Sequence, residues 1–383
     1  MTTFNSRVEN LGLSGIRKFM ETASKYENVI GLTIGQPSFH VPNKVKEAAI
    51  NAIEQNQTSY TVNKGLPLLR KEIAKWINER YGLLYDEEEI IVTVGASQAL
   101  DIAIRSVFNE GDEVLLPCPI YPAYEPLLDL QGVKVTYLDT TNSKFKVTRE
   151  LIENAWTNNT KGIILTYPSN PTGVTYTEDE LRSLAEFLHE KSCFVIADEI
   201  YSEITYTQKH TSIAKMPFMK EKTIVINGLS KSHAMTGFRV GYTLAPLSIT
   251  SQMLKVHQYN VSCATSIAQH AAIAALVHCQ DDVLYMKNEY EIRKRFLCDR
   301  LTEMNIDFVE PDGAFYIFPS IKKFHMSSFE FCVRLLEEER LAVIPGDAFS
   351  SYGEGFIRLS YAYSLEELEE ACKRLERFIA SLT

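Results

Sequence analysis

Five short, almost wholly apolar runs separated by stretches of helical periodicity constrain this chain more than any other feature. They are Ile90-Ile91-Val92-Thr93-Val94, Glu113-Val114-Leu115-Leu116, Gly162-Ile163-Ile164-Leu165, Cys193-Phe194-Val195-Ile196-Ala197 and Thr223-Ile224-Val225-Ile226. A strand without polar alternation is buried on both faces and needs helices above and below it. The intervening patterns supply them; the stretch 177–189, for instance, opens with a capping box from Thr177 to Glu180. Strand, helix and strand in repetition predict an α/β domain on a mostly parallel sheet.

That pattern runs over residues 46–275. Beyond it the texture changes: a polar-rich helical stretch over 281–304, strands around 313–319, 341–345 and 355–361, and helices over 329–338 and 365–379. Ser327 with Glu330 and Ser364 with Glu367 form further capping boxes. We read 276–383 as a smaller α+β domain, joined by the N-terminal segment 1–45. A length of 383 residues agrees, because it exceeds what one average core organises. No repeat or low-complexity linker interrupts the chain, so the boundary is expected to run through helix.

Charge and cysteine usage exclude several classes. A net charge of −10 disfavours nucleic acid or an anionic membrane as partner, although a local arginine cluster could still hold a small anion. The first ten residues lack an apolar signal region, and the longest wholly apolar run, 271–277, is too short to span a bilayer. Seven scattered cysteines without a C-x-x-C pair suit a reducing cytoplasm. The eight histidines include no H-E-x-x-H pair, so no metal site is expected.

In open α/β sheets ligands bind beyond the carboxyl ends of the strands, and the chemically suggestive residues fall there. Gly95-Ala96-Ser97-Gln98 follows one run and begins a helical pattern, placing free N–H groups where an anion could sit, although an ordinary strand-to-helix turn reads the same way. Asp198 ends another run; an acid leaving a buried strand either caps the next element or meets a cation. Asn170, in Tyr167-Pro168-Ser169-Asn170-Pro171-Thr172-Gly173, is by itself a plausible turn residue. Lys231 follows small residues and precedes Arg239 by eight positions, as a lysine holding an aldehyde with a phosphate tail would require. Taken alone, Lys231 could also be a surface residue.

The joint order Gly95-Ala96-Ser97, Tyr121, Asn170-Pro171-Thr172-Gly173, Asp198-Glu199-Ile200-Tyr201, Lys231, Arg239, Arg358 resembles the fold-type I, class I aminotransferases that use pyridoxal 5′-phosphate. The resemblance covers essentially the whole chain and implies an aspartate aminotransferase-like fold. Gly35-Gln36-Pro37 and the stretch 255–262 are similar to the bacterial branch of aromatic and N-acetyl-L,L-diaminopimelate aminotransferases. The resemblance makes Lys231 the lysine bound to the aldehyde and the proton shuttle, and Asp198 the partner of the pyridine nitrogen. Asn170 and Tyr201 would bond the ring oxygen, and Tyr121 would lie on the ring face. The phosphate would rest on Ala96, Ser97 and Arg239, with Tyr60 entering from the second subunit of a homodimer. Many relatives bind it also through a serine three residues before the lysine, where this chain has Gly228; Ser230 could compensate. Arg358 would fork the substrate α-carboxylate, helped by Asn170 and the Gly35 backbone.

The activity so implied is ping-pong transfer of an amino group from an L-amino acid to 2-oxoglutarate. A carbon–sulfur lyase on the same fold is the alternative, and a cofactor-sensing regulator a more remote one, because only about thirty residues precede Gly31. No arginine occurs from Lys255 through Asp282 to meet a distal carboxylate; Arg17 and Arg105 are the remaining candidates. Tyr121 and Tyr259 favour an aromatic or long donor, whose distal polar groups could meet Arg17, or Asn260 and Ser262 from a neighbouring subunit.

Overall fold

All five apolar runs are strands of one seven-stranded sheet in the computed structural model, which describes residues 3–382. Met1, Thr2 and Thr383, assigned above to the N-terminal segment and the smaller domain, lie outside the described residues. The strands are Ile90–Val94 (β1), Glu113–Cys118 (β2), Lys134–Asp139 (β3), Thr160–Thr166 (β4), Phe194–Asp198 (β5), Thr223–Gly228 (β6) and Val240–Leu244 (β7). They lie in the order β1-β7-β6-β5-β4-β2-β3, and β7 alone opposes its neighbours.

Two of these strands carry no apolar run, for different reasons. β3 is an edge strand whose residues are mostly part-exposed, so its sequence Lys-Val-Thr-Tyr-Leu-Asp mixes polar and apolar groups. β7 is wholly buried, but Gly241 interrupts it. A Cβ on Gly241 would stand 2.4 Å from the Gly95 carbonyl carbon, so only glycine lets β7 lie against the turn after β1.

Apolar side chains on both sheet faces pack under helices, giving two core clusters. The helix Glu178–His189 begins at the Thr177 capping box, with both reciprocal bonds formed. Ser364 and Glu367 bond reciprocally as well, ahead of the helix Leu365–Leu382.

A third core cluster joins the early and late parts of the chain. Ile30–Gly31 pairs in parallel with Leu341–Ala342, and Tyr316–Ile317, Ile344–Pro345 and Ile357–Ser360 form a small antiparallel sheet. These strands are shorter than the runs that announce them; the run 341–345 is divided, Leu341–Ala342 pairing with Ile30–Gly31 and Ile344–Pro345 with the strand Ile357–Ser360. The Ser360 N–H donates to Leu32 O at 3.0 Å, which brings the segment 32–36 to the carboxyl edge of the large sheet.

Candidate active site

The carboxyl ends of β1, β2, β4, β5 and β6 open into one cavity of about 460 Å³, a volume within the usual range for small-molecule sites. Gly35, Ala96, Ser97, Tyr121, Asn170, Asp198, Tyr201, Ser230, Lys231, Arg239 and Arg358 all line it. Tyr60, expected at the phosphate, stands 89% exposed on the surface of this chain, and Tyr259, expected to favour an aromatic donor, stands 88% exposed; neither lines the cavity, nor do Asn260 and Ser262.

Lys231 follows β6 by three residues, and its Nζ donates to Gly35 O at 2.6 Å. Burial, then the nearby cations Arg239 and Arg358, push its amine down to about 8 against the opposing pull of Asp198. A substantial neutral fraction is therefore present just above neutral pH, which a nucleophilic amine requires.

Asp198 closes β5 at 4% exposure. The Tyr124 hydroxyl donates to Oδ2 at 2.8 Å and the Ile200 N–H to Oδ1 at 3.2 Å. Both donors favour the carboxylate, yet burial outweighs them and lifts the acid to about 6. Of the two local readings, cap and cation partner, the structure shows the cap: Asp198 accepts from the next turn while lining the cavity.

A helix N-terminus forms another part of the wall. The helix Gly95–Val107 starts directly after β1, so the N–H groups of its first turn have no intrahelical partners. Gly95 has φ +72°, and a Cβ there would come within 2.5 Å of Arg239 Nη2. Arg239 itself has φ 55°, a left-handed conformation costing about 1 kcal/mol for a non-glycine residue. Gly228 has its own packing reason: a Cβ would stand 2.8 Å from Val240 O. Ser230, two residues on, is buried and faces the cavity.

Arg358, on Ile357–Ser360, is 2% exposed. It donates from Nη1 to Asn170 Oδ1 at 3.0 Å and from Nη2 to Thr33 O, while Nε is buried without a partner. Its guanidinium lies over the rings of Tyr316, at 4.6 Å, and Phe349, at 5.0 Å. Among the described residues neither Arg239 nor Arg358 joins an ion pair, so both cations line the cavity without a carboxylate partner.

The sequence reading missed Tyr124, Tyr316 and the Thr33 carbonyl. Tyr124 lies three residues after Tyr121 at the start of a helix, a spacing that could have flagged it; nothing local marks Tyr316 within its aromatic run. Of the proposed distal cations, Arg105 is engaged by Asp101 at 2.7 Å on an exposed helix face. Arg17 is exposed on the helix Gly15–Ala23, whose Ile16 and Met20 line the cavity.

The family model for aminotransferase class I and II matches residues 27–375. The chain is 52% identical over 376 residues to a probable N-acetyl-LL-diaminopimelate aminotransferase of Bacillus subtilis, covering 98% of this chain and 95% of that protein. It is 38% identical to an aspartate aminotransferase of Pyrococcus abyssi, with 98% of each covered. The solved aromatic aminotransferase of Pyrococcus horikoshii superposes with a TM-score of 0.91 at 37% identity, covering 96% of this chain and all of that one. Pyridoxal 5′-phosphate is the cofactor of this family, and the cavity fits it: an amine for the aldehyde, a buried acid for the ring nitrogen, and unpaired helical N–H groups beside Arg239 for the phosphate. Arg358 lines the same cavity, with its Nε buried and without a partner. The chain thus has the fold of the aspartate aminotransferases and belongs to the class I and II aminotransferase family.

Proposed function

We propose that this aminotransferase takes its amino group from an aromatic L-amino acid or from N-acetyl-L,L-diaminopimelate and passes it to 2-oxoglutarate. The observation that carries the substrate reading is the cation inventory of the cavity: Lys231, Arg239 and Arg358 are the cationic side chains among the described residues that line it. Each has a task in the common chemistry, which leaves no fixed cation for a distal carboxylate. Ile16, Met20 and Leu100 contribute apolar wall instead, which suits a long or aromatic donor. The 52% relative named for N-acetyl-LL-diaminopimelate supports that donor as the biosynthetic candidate. Arg17 is the side chain we expect to swing toward 2-oxoglutarate.

When bound, pyridoxal 5′-phosphate supplies an aldehyde to hold the amino group and a ring that draws electrons from the substrate α-carbon. Lys231 holds that aldehyde and moves the proton at the α-carbon. Asp198 keeps the ring nitrogen protonated, because a carboxylate raises the pKa of an adjacent cation. Asn170 and Tyr201 bond the ring oxygen, and Tyr121 covers the ring face. Ala96, Ser97, Ser230 and Arg239 hold the phosphate. Arg358 forks the α-carboxylate beside Asn170 and Gly35.

Residues 46–275 form the cofactor-binding domain in this reading, with 1–45 and 276–383 as the second. The exposed Tyr60 argues for a homodimer in which each chain lends this tyrosine to its partner's phosphate site. Seven unpaired cysteines, six of them buried, agree with a cytoplasmic setting. A donor panel against 2-oxoglutarate, repeated with pyruvate, tests the substrate proposal. A kcat/KM for aspartate well above those for phenylalanine, tyrosine and the acetylated diamino acid would overturn it.

A further inference from the structure

Tyr316 is fully buried in the wall of the cavity, and three contacts fix it there. Its hydroxyl lies 2.7 Å from that of Tyr201, and its ring carries the Arg358 guanidinium at 4.6 Å. On the third side is Gly35, where a Cβ would come within 2.6 Å of the Tyr316 oxygen. The backbone carbonyl of that same glycine accepts from Lys231 Nζ. One phenol thus touches the groups that serve the substrate carboxylate and the cofactor ring.

We infer that Tyr316 is a positioning residue that orients the Tyr201 hydroxyl and couples it to the occupancy of Arg358. This rests on the reading of Tyr201 as the donor to the ring oxygen. Only one hydrogen fits between two phenol oxygens 2.7 Å apart. When Tyr201 turns its hydrogen into the cavity, Tyr316 must supply the hydrogen in the gap. A phenol that accepts one hydrogen bond donates a stronger second one, so Tyr316 strengthens the donation Tyr201 makes. Burial pushes the Tyr316 phenol up, and the Arg358 cation over its ring opposes that shift, so the cation acts toward a stronger Tyr316 donor. A substrate carboxylate that neutralises Arg358 relaxes this effect at the moment of binding.

The test is a pH titration of the visible absorbance of the purified holoenzyme in wild type, Tyr316→Phe, Tyr201→Phe and the double variant. Donation to the ring oxygen stabilises its ionised form, so losing Tyr201's hydrogen bond to that charged group moves the absorbance midpoint up by about 1–2 pH units. Tyr316→Phe keeps the ring beneath Arg358 and loses only the cooperative part, an upward shift of roughly 0.3 pH unit. The double variant should coincide with Tyr201→Phe, because Tyr316 acts through that hydroxyl. KM for amino acids should stay within about threefold in Tyr316→Phe and rise in Tyr316→Leu, which removes the ring. A Tyr316→Phe midpoint equal to wild type, or a double variant shifted by the sum of the singles, overturns the inference while leaving Tyr201's role standing. An unshifted Tyr201→Phe removes both. Thermal unfolding of the cofactor-free proteins separates these outcomes from a folding defect.

Discussion

Asp198 and Glu199 are neighbours at the end of β5, both carboxylates and both buried, at 4% and 0% exposure, yet they are solvated in opposite ways. Glu199 points away from the cavity and is saturated: Ser212 donates to Oε1 at 2.6 Å, Tyr167 to the same oxygen at 3.1 Å, and His210 Nε2 lies 2.9 Å from Oε2. Asp198 faces the cavity with two neutral donors and an acid pushed up by burial. Successive residues of a strand face opposite sides, so one backbone step separates a carboxylate whose needs the protein meets from one whose needs a ligand must meet. The difference teaches that burial alone does not mark a functional acid; incomplete satisfaction toward a cavity does.

Substitutions on the two sides should therefore fail differently, and the largest effect belongs to the cavity. Lys231→Ala should lose turnover by several orders of magnitude, because covalent and proton-transfer roles vanish together. Its melting temperature should change little, since the amine bonds only a backbone carbonyl. Borohydride treatment of wild type should label the peptide carrying Lys231, and wild-type-like turnover in Lys231→Ala would sink the assignment.

Next comes the direct comparison of the neighbours. Asp198→Asn should lower kcat by about a hundredfold or more, because an amide cannot hold a proton on the ring nitrogen. Glu199→Ala should instead destabilise the fold by about 3 kcal/mol, because Tyr167, Ser212 and His210 lose a buried hydrogen-bond partner, and leave kcat of the folded fraction within a few-fold. Chemical denaturation and active-site-normalised kinetics separate the two. Equal losses of both kinds in both variants would erase the distinction. A smaller effect is expected from Arg358→Lys, which replaces a fork by a point charge and should raise KM for amino and keto acids alike.

The same contrast explains what was legible beforehand. Lys231, Asp198 and Asn170 follow strand ends, where a break in an apolar run is visible in one dimension, Arg239 was marked by its spacing from Lys231, and the structure brings all four to one cavity. Tyr124 and Tyr316 belong to the site through contacts spanning 74 and 115 residues, with Asp198 and Tyr201, and local periodicity carries no trace of such contacts. β3 escaped because an edge strand need not be apolar, and β7 because its glycine serves the turn at Gly95 rather than its own strand. Glu199 was quoted beside Asp198 but could not be told apart from it, since strand alternation assigns opposite faces without saying which face opens to a cavity.

The smallest effect is also the cleanest probe of the Asp198 environment, and it uses the cofactor-free protein. The Asp198 acid rises from 3.8 to about 6 on folding, so the native state binds more protons than the unfolded chain between these values. Its contribution to stability is complete below pH 4 and is lost as pH rises through about 6. Other carboxylates titrate in the same window, so the quantity to measure is the difference between variants. Asp198→Asn removes this term, and its stability relative to wild type should improve from pH 4 to pH 7. Tyr124→Phe removes a donor that favours the ionised form, which pushes the acid higher and carries the loss of stability above pH 6. Denaturant melts at half-unit pH intervals would resolve both differences. A Tyr124→Phe profile parallel to wild type would mean that the Tyr124 hydrogen bond does not govern the ionisation of Asp198.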